Sequence, residues 1–313
     1  MQTVEFRGAS GLTIVGDVDG PDDGPVVLLL HGGGQNRLAW KGSGAALAAR
    51  GYRVVALDAR GHGDSAWDPD ANYEMENLAH DLLAVIDQLG AERPAVVGAS
   101  LGGITALETH AVIGYADIFS AVVLVDITPK VENAGSRRIV SFMMANPDGF
   151  ADLNEAAAAI AEYNPHRPPP SSTAGLAKVL RQGEDGRWRW HWDPQFIATR
   201  AALMFEDPAA WEAERAERAD RLHLSAGELR APLLLIRGLL SDLVSDEAVA
   251  ALRAAAPQAE YVDVRGAGHM VAGDDNDAFT SAVLGFLDRH VRPTPSASMV
   301  DTSAPGRGPA RSG

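Results

Sequence analysis

Cysteine is missing altogether from the 313 residues, which removes disulfides, thiolate metal sites and cysteine nucleophiles at once. Positive charge is scarce. Lys and Arg number 27 against 42 Asp and Glu, a formal charge of −15 at pH 7, and that balance argues against nucleic acid or an anionic membrane as a partner. Long apolar runs are also lacking: none approaches the roughly 20 residues that cross a bilayer. The opening Met1-Gln2-Thr3-Val4-Glu5 has no basic segment followed by an apolar one. A cytoplasmic protein is the expectation. What remains, 46% hydrophobic and 22% charged residues, describes a globular chain with one substantial core and an inserted piece.

Short, fully apolar runs recur along the chain, each followed by a helix-like stretch. After an opening hairpin (4–6 and 12–18), strands are expected at 26–30, 52–57, 94–97, 121–125, 233–236 and 261–264. Helices are expected at 37–50, around Leu78, Leu82, Val85 and Ile86 up to Gly90, from Leu101 to His110 with Gly114 as stop, at 246–255, and from Asp274 or Asp275 to about His290. This rhythm is that of a parallel sheet with helices on both faces. It breaks between about 130 and 230, where helix-like stretches (154–163 and 208–221), a proline-stiffened connector (166–170) and the alternating Trp188, Trp190 and Trp192 replace buried strands. The segment 128–230 is therefore expected to cap a core made of 1–127 and 231–292. The Pro-, Ser- and Gly-rich residues 293–313 are expected to be a disordered tail.

Three short motifs carry chemistry. Gly98-Ala99-Ser100-Leu101-Gly102 lies where a buried strand turns into a helix. That turn strains the serine backbone, leaves no room for side chains at the two flanking glycines, and lifts the hydroxyl above the sheet. His31-Gly32-Gly33-Gly34 directly follows another buried strand, so its backbone N–H groups can approach a developing oxyanion. Gly266-Ala267-Gly268-His269-Met270 puts a glycine-flanked histidine on the loop after the last strand. The loop Asp58 to Ser65 reads as a hydrogen-bonded structural turn, and His80 and His110 as bystanders on helices. The run Asp274 to Asp277 lacks calcium-loop spacing and reads as helix capping.

With Ser241-Asp242 added, these signals fall in the order Ser, Asp, His after different strands, and at this point the chain resembles the α/β-hydrolase family over about residues 3–291. The resemblance is to its esterase, lactonase and cofactor-free haloperoxidase-like members. It implies an α/β fold with a mostly parallel eight-stranded sheet, a cap between the sixth and seventh strands, and a Ser100–Asp242–His269 triad with Gly33 and Leu101 as oxyanion donors. Epoxide hydrolases and haloalkane dehalogenases place aspartate at the nucleophile position, which Ser100 does not match. Asp126, at the end of the strand 121–125, is the other candidate acid; Asp242 is preferred because the family most often places the acid after the seventh strand.

The expected activity is hydrolysis of a small carboxylic ester or lactone through an acyl-enzyme, without cofactor or metal. Met143 and Trp190 are expected among the substrate-binding residues. Acyl transfer, perhydrolysis and carbon–carbon bond hydrolysis are variants of the same chemistry, and a ligand receptor with vestigial hydrolysis is the alternative from another class. Acyl-chain length, chirality and oligomeric state are not readable from the residues.

Overall fold

The computed structural model describes residues 1–163, 165, 173–265 and 277–291. In chain order its elements are β1 (Gln2–Arg7), β2 (Thr13–Asp19), β3 (Val26–Leu30), α1 (Lys41–Ala49), β4 (Arg53–Leu57), α2 (Met75–Leu89), β5 (Ala95–Ala99), α3 (Leu101–Val112) and β6 (Ala121–Val125). The inserted segment follows, with α4 (Asn133–Met144), α5 (Leu153–Tyr163), β7 (Leu180–Gln182), β8 (Trp188–Trp190), α6 (Gln195–Glu206) and α7 (Pro208–Glu228). The chain then returns through β9 (Leu233–Gly238), α8 (Asp246–Ala255), β10 (Glu260–Val264) and α9 (Asp277–His290).

Eight strands form one sheet in the order β1-β2-β4-β3-β5-β6-β9-β10. The pairs β1–β2 and β2–β4 are antiparallel and all the others parallel, the expected mostly parallel eight-stranded architecture. The central strands are apolar at every position because both faces are covered. Leu28, Val96, Val122 and Leu124 face the layer of α2, α3, α7 and α8, where they meet Leu82, Ile86, Leu107, Leu222 and Leu252. Their neighbours Val27, Leu29, Val97 and Val123 face Trp40, Leu47, Phe279 and Phe286 from the layer of α1 and α9. Alternation along each strand thus feeds two cores, and each buried Val or Leu contributes about 1.5–3 kcal/mol.

Helix ends follow their local chemistry. Gly90 closes α2 at φ +62°, where a side chain would be strained. Asp207 caps α7 through the Ala210 N–H at 3.0 Å with Pro208 in its first turn, and Ser245 caps α8 through Ala248 N–H at 3.2 Å. The stretch 37–50 divides into a 3-10 turn, Arg37–Trp40, and α1. The helix expected at 208–221 runs on to Glu228, and α6, which precedes it, was not expected.

The inserted segment has two attachments. Val140, Met143, Trp192, Phe196 and Trp211 pack against Tyr73, Met75, Leu78 and Leu101 beyond the strand tips. The second half of α7 instead enters the main core with Leu222 and Ala226, and Ser225 Oγ donates to Leu107 O of α3 at 2.8 Å. The core therefore includes part of the span 128–230. Among the described residues no helix is long and apolar enough to cross a membrane. The connector 166–170, the start of the last helix at 274–276 and the tail 293–313 lie outside the described residues.

Candidate active site

Ser100 stands between β5 and α3 with φ 45° and ψ −107°, an unfavourable backbone state for a residue with a side chain. Its surroundings hold it there. Its N–H donates to Val125 O at 3.0 Å, and the Gly102 N–H donates to His31 O at 3.1 Å, so the turn is clamped to the tips of β6 and β3. A Cβ on Gly98 would lie 2.4 Å from the Gly102 carbonyl carbon, and one on Gly102 would lie 2.3 Å from Leu30 O. Only glycine fits at either position, the steric requirement read from the motif. Ser100 faces the glycine loop, since a Cβ built on Gly32 would come within 3.6 Å of the serine Cβ. The Leu101 N–H opens α3 and has no partner within the helix, so it is available beside the serine.

Two buried histidines set the shape of the glycine loop. His31 Nε2 accepts from the Ala59 N–H at 3.0 Å, which leaves Nδ1 to donate to Gly32 O at 2.8 Å. His62 Nε2 accepts from the Gly34 N–H at 3.1 Å, and its Nδ1 donates to Arg60 O at 3.1 Å. Each ring is thereby a neutral imidazole of one tautomer. Burial lowers the pKa of both, and for His62 burial and the neighbouring His31 bring it down to about 3. The loop 58–65 is structural, as its composition suggests, but its structural task is to hold the glycine loop. It also joins the inserted segment: Gly63 N–H donates to His191 O at 2.8 Å and Asp193 N–H to Gly61 O at 2.7 Å. Buried Arg37 pairs with Asp58 and, at 3.1 Å, with Asp17.

The two candidate acids stand in different surroundings. Ala99 pairs with Val125, so the next residues, Ser100 and Asp126, extend adjacent strand tips about 4.8 Å apart. Asp126 is fully buried, has φ +49°, and accepts from the Gly238 N–H at 3.0 Å and Ser241 Oγ at 2.6 Å. Asp242, in contrast, has a side chain 39% exposed and lies 2.6 Å from Arg138 of α4. Its environment thus departs from that expected of a buried triad carboxylate, because the loop turns Ser241 inward and Asp242 outward. The sequence did contain a signal for Asp126: an acid ending the all-apolar strand next to the nucleophile strand. His269 lies outside the described residues.

Ser100, Gly33 and Leu101 line a cavity of about 830 Å³ together with Met143 and Trp190. Trp190 stacks on Trp192 with ring centroids 4.8 Å apart and meets Phe150 edge-on at 5.3 Å. The Met143 methyl would touch a Cβ on Gly34 at 3.5 Å, which brings it to the glycine loop. His80 is exposed on α2, and His110 is buried with Nδ1 3.0 Å from Ser225 Oγ; both are remote from these groups in role. No cluster of three or more His, Asp or Glu suited to a metal occurs among the described residues.

A sheet of this order with a strained serine at the tip of its central strand defines a class, and the chain belongs to it: residues 25–275 match the model of the α/β-hydrolase fold family. An esterase of Mycobacterium tuberculosis is 32% identical over 277 residues, covering 84% of this chain and 83% of that protein. The 2-(acetamidomethylene)succinate hydrolase of Mesorhizobium japonicum is 29% identical over 265 residues, 85% of this chain and 88% of its own. Among solved structures, an α/β hydrolase from Novosphingobium aromaticivorans superposes with a TM-score of 0.74 at 26% identity, over 93% of this chain and 98% of its own. Relatives of this kind support an ester-cleaving hydrolase.

Proposed function

We propose that the protein is a serine hydrolase that cleaves a small carboxylic ester or lactone through an acyl-enzyme, with Ser100 as nucleophile. The observation that carries this reading is the positive-φ serine at the strand-to-helix turn, facing the glycine loop and opening into an apolar cavity. An unassisted hydroxyl is a weak nucleophile, so a base must take its proton as the C–O bond forms. His269 fills that role and then gives the proton to the departing alkoxide; in the second half it takes a proton from the attacking water and returns it to Ser100 Oγ as the acid leaves. The N–H groups of Gly33 and Leu101 receive the oxyanion.

For the acid we favour Asp126 over Asp242. A triad carboxylate must hold the imidazole tautomer from a site shielded from water, and burial beside the serine strand favours Asp126, whereas Asp242 is exposed and engaged by Arg138. A fluorophosphonate probe tests the whole reading. Mass spectrometry should find it on Ser100, and Ser100→Ala should lose both the label and the turnover of 4-nitrophenyl acetate. Labelling at another residue, or an active alanine variant, overturns it.

A further inference from the structure

The inner face of α6 carries a charge where its periodicity calls for an apolar side chain. Phe196, Arg200 and Met204 recur every four residues and so share one face of the helix. Phe196 is 4% and Met204 0% exposed, so the face points inward. Phe196 is also the side chain nearest the glycine loop from this helix, 3.9 Å from a Cβ built on Gly33, and its ring meets His62 edge-on at 4.5 Å. Arg200 sits one helical turn further, about 6 Å along the wall, and lines the same cavity as Ser100.

Among the described residues Arg200 has no hydrogen-bond or ion-pair partner. The two other cavity-lining arginines are engaged: Arg215 with Glu212 at 2.8 Å and Val131 O at 2.6 Å, Arg218 with Glu214 at 2.8 Å. Arg200 keeps some accessible surface, yet its guanidinium lies deep in the protein, a combination that fits a side chain whose open part faces an internal cavity. Burial and the nearby Arg218, opposed by Glu214 and Glu74, bring its pKa down to about 10. A guanidinium placed this deep, with carboxylates nearby but none of the described ones within ion-pair distance, is costly. On a chain of formal charge −15, it is a local reversal of sign placed inside the cavity.

We infer that Arg200 anchors a carboxylate carried by the substrate, so that the enzyme acts on an ester or lactone bearing an acid group, with the reacting carbonyl held at Ser100. This rests on the reading of Ser100 as nucleophile. A planar carboxylate matches the guanidinium fork, and a charge-assisted pair in an apolar cavity is worth about 10- to 100-fold in affinity.

The test compares two esters of equal acyl length, mono-4-nitrophenyl glutarate and 4-nitrophenyl pentanoate, on the wild type, Arg200→Met and Arg200→Lys. The wild type should favour the glutarate in kcat/KM, Arg200→Met should lose that preference by about 10- to 100-fold through KM while still hydrolysing the pentanoate, and Arg200→Lys should retain part of it. A wild type that favours the neutral ester overturns the inference without need of any variant, as does an unchanged ratio in Arg200→Met. Free glutarate, followed through the fluorescence of the cavity tryptophans, gives a readout independent of turnover. It should bind the wild type more tightly than Arg200→Met, and equal binding overturns the inference. Fluorophosphonate labelling of Ser100 in the same samples separates a failure of the charge preference from a failure of the nucleophile.

Discussion

Ser100 and Asp126 share an unusual property: each ends a buried parallel strand and turns at once into a positive-φ conformation, at 45° and 49°. In neighbouring strands of matched register this places a serine and an aspartate at adjacent strand tips before any helix or loop has been added. Asparagine at the true acid position would leave the histidine in the wrong tautomer, a loss that reaches about 10⁴-fold in kcat in the serine-protease case. Asp126→Asn should therefore lower kcat by several orders of magnitude with circular dichroism unchanged, and Asp242→Asn should lower it less than tenfold. Steady-state kinetics on one activated ester decides between them, and the opposite ranking returns the acid to the loop after β9. The choice was open in the sequence because both aspartates follow apolar strands. What separates them is which side chain the 238–242 loop turns inward: Ser241 and Gly238 bond Asp126, more than a hundred residues away in the chain, while Asp242 is left outside against Arg138.

The two loops that meet at His31 and His62 form one hydrogen-bonded unit, and its response to acid follows from the histidine pKa values. His62 is neutral when folded down to about pH 3, but titrates near 6.5 when the chain is unfolded. Between those values the unfolded chain binds more protons, so the stabilisation is complete above about pH 6.5 and is lost as the pH falls toward 3. The slope is at most about 1.4 kcal/mol per pH unit for each such histidine. Thermal melts between pH 7.5 and 5 should show Tm falling on the acid side, and His62→Gln should make that fall shallower. Parallel profiles would sink the assignment. Elements of this kind were unevenly legible. The strands of the sheet could be read because burial on both faces writes an unbroken apolar run into each of them. The helix α6 could not, because its inward stripe is interrupted by Arg200, and β7 has a single buried residue, Leu180. The motif at 58–65 was readable as a tight turn, but its grip on the glycine loop runs through ring nitrogens that pair with distant backbone.

The whole molecule is a sheet with a second body of structure over its strand tips, and α7 belongs to both. Its 21 residues span about 30 Å. The first half offers Trp211 and Arg215 to the cavity, while the second half is fastened under α3 by Leu222, Ser225 and Ala226. A continuous helix fixed at one end cannot swing aside without disturbing what it is fixed to. Its amides from about 219 to 228 should accordingly exchange with deuterium only on global unfolding, while those of α4 and α5, whose ties to the main core are fewer, exchange by local opening. Hydrogen exchange followed by mass spectrometry measures both, and equal protection along α4, α5 and α7 would contradict it. The helix thus acts as a fixed doorpost beside the cavity, and variants that loosen α4 elsewhere on the wall should change turnover number in steady-state kinetics without changing the melting temperature of the sheet.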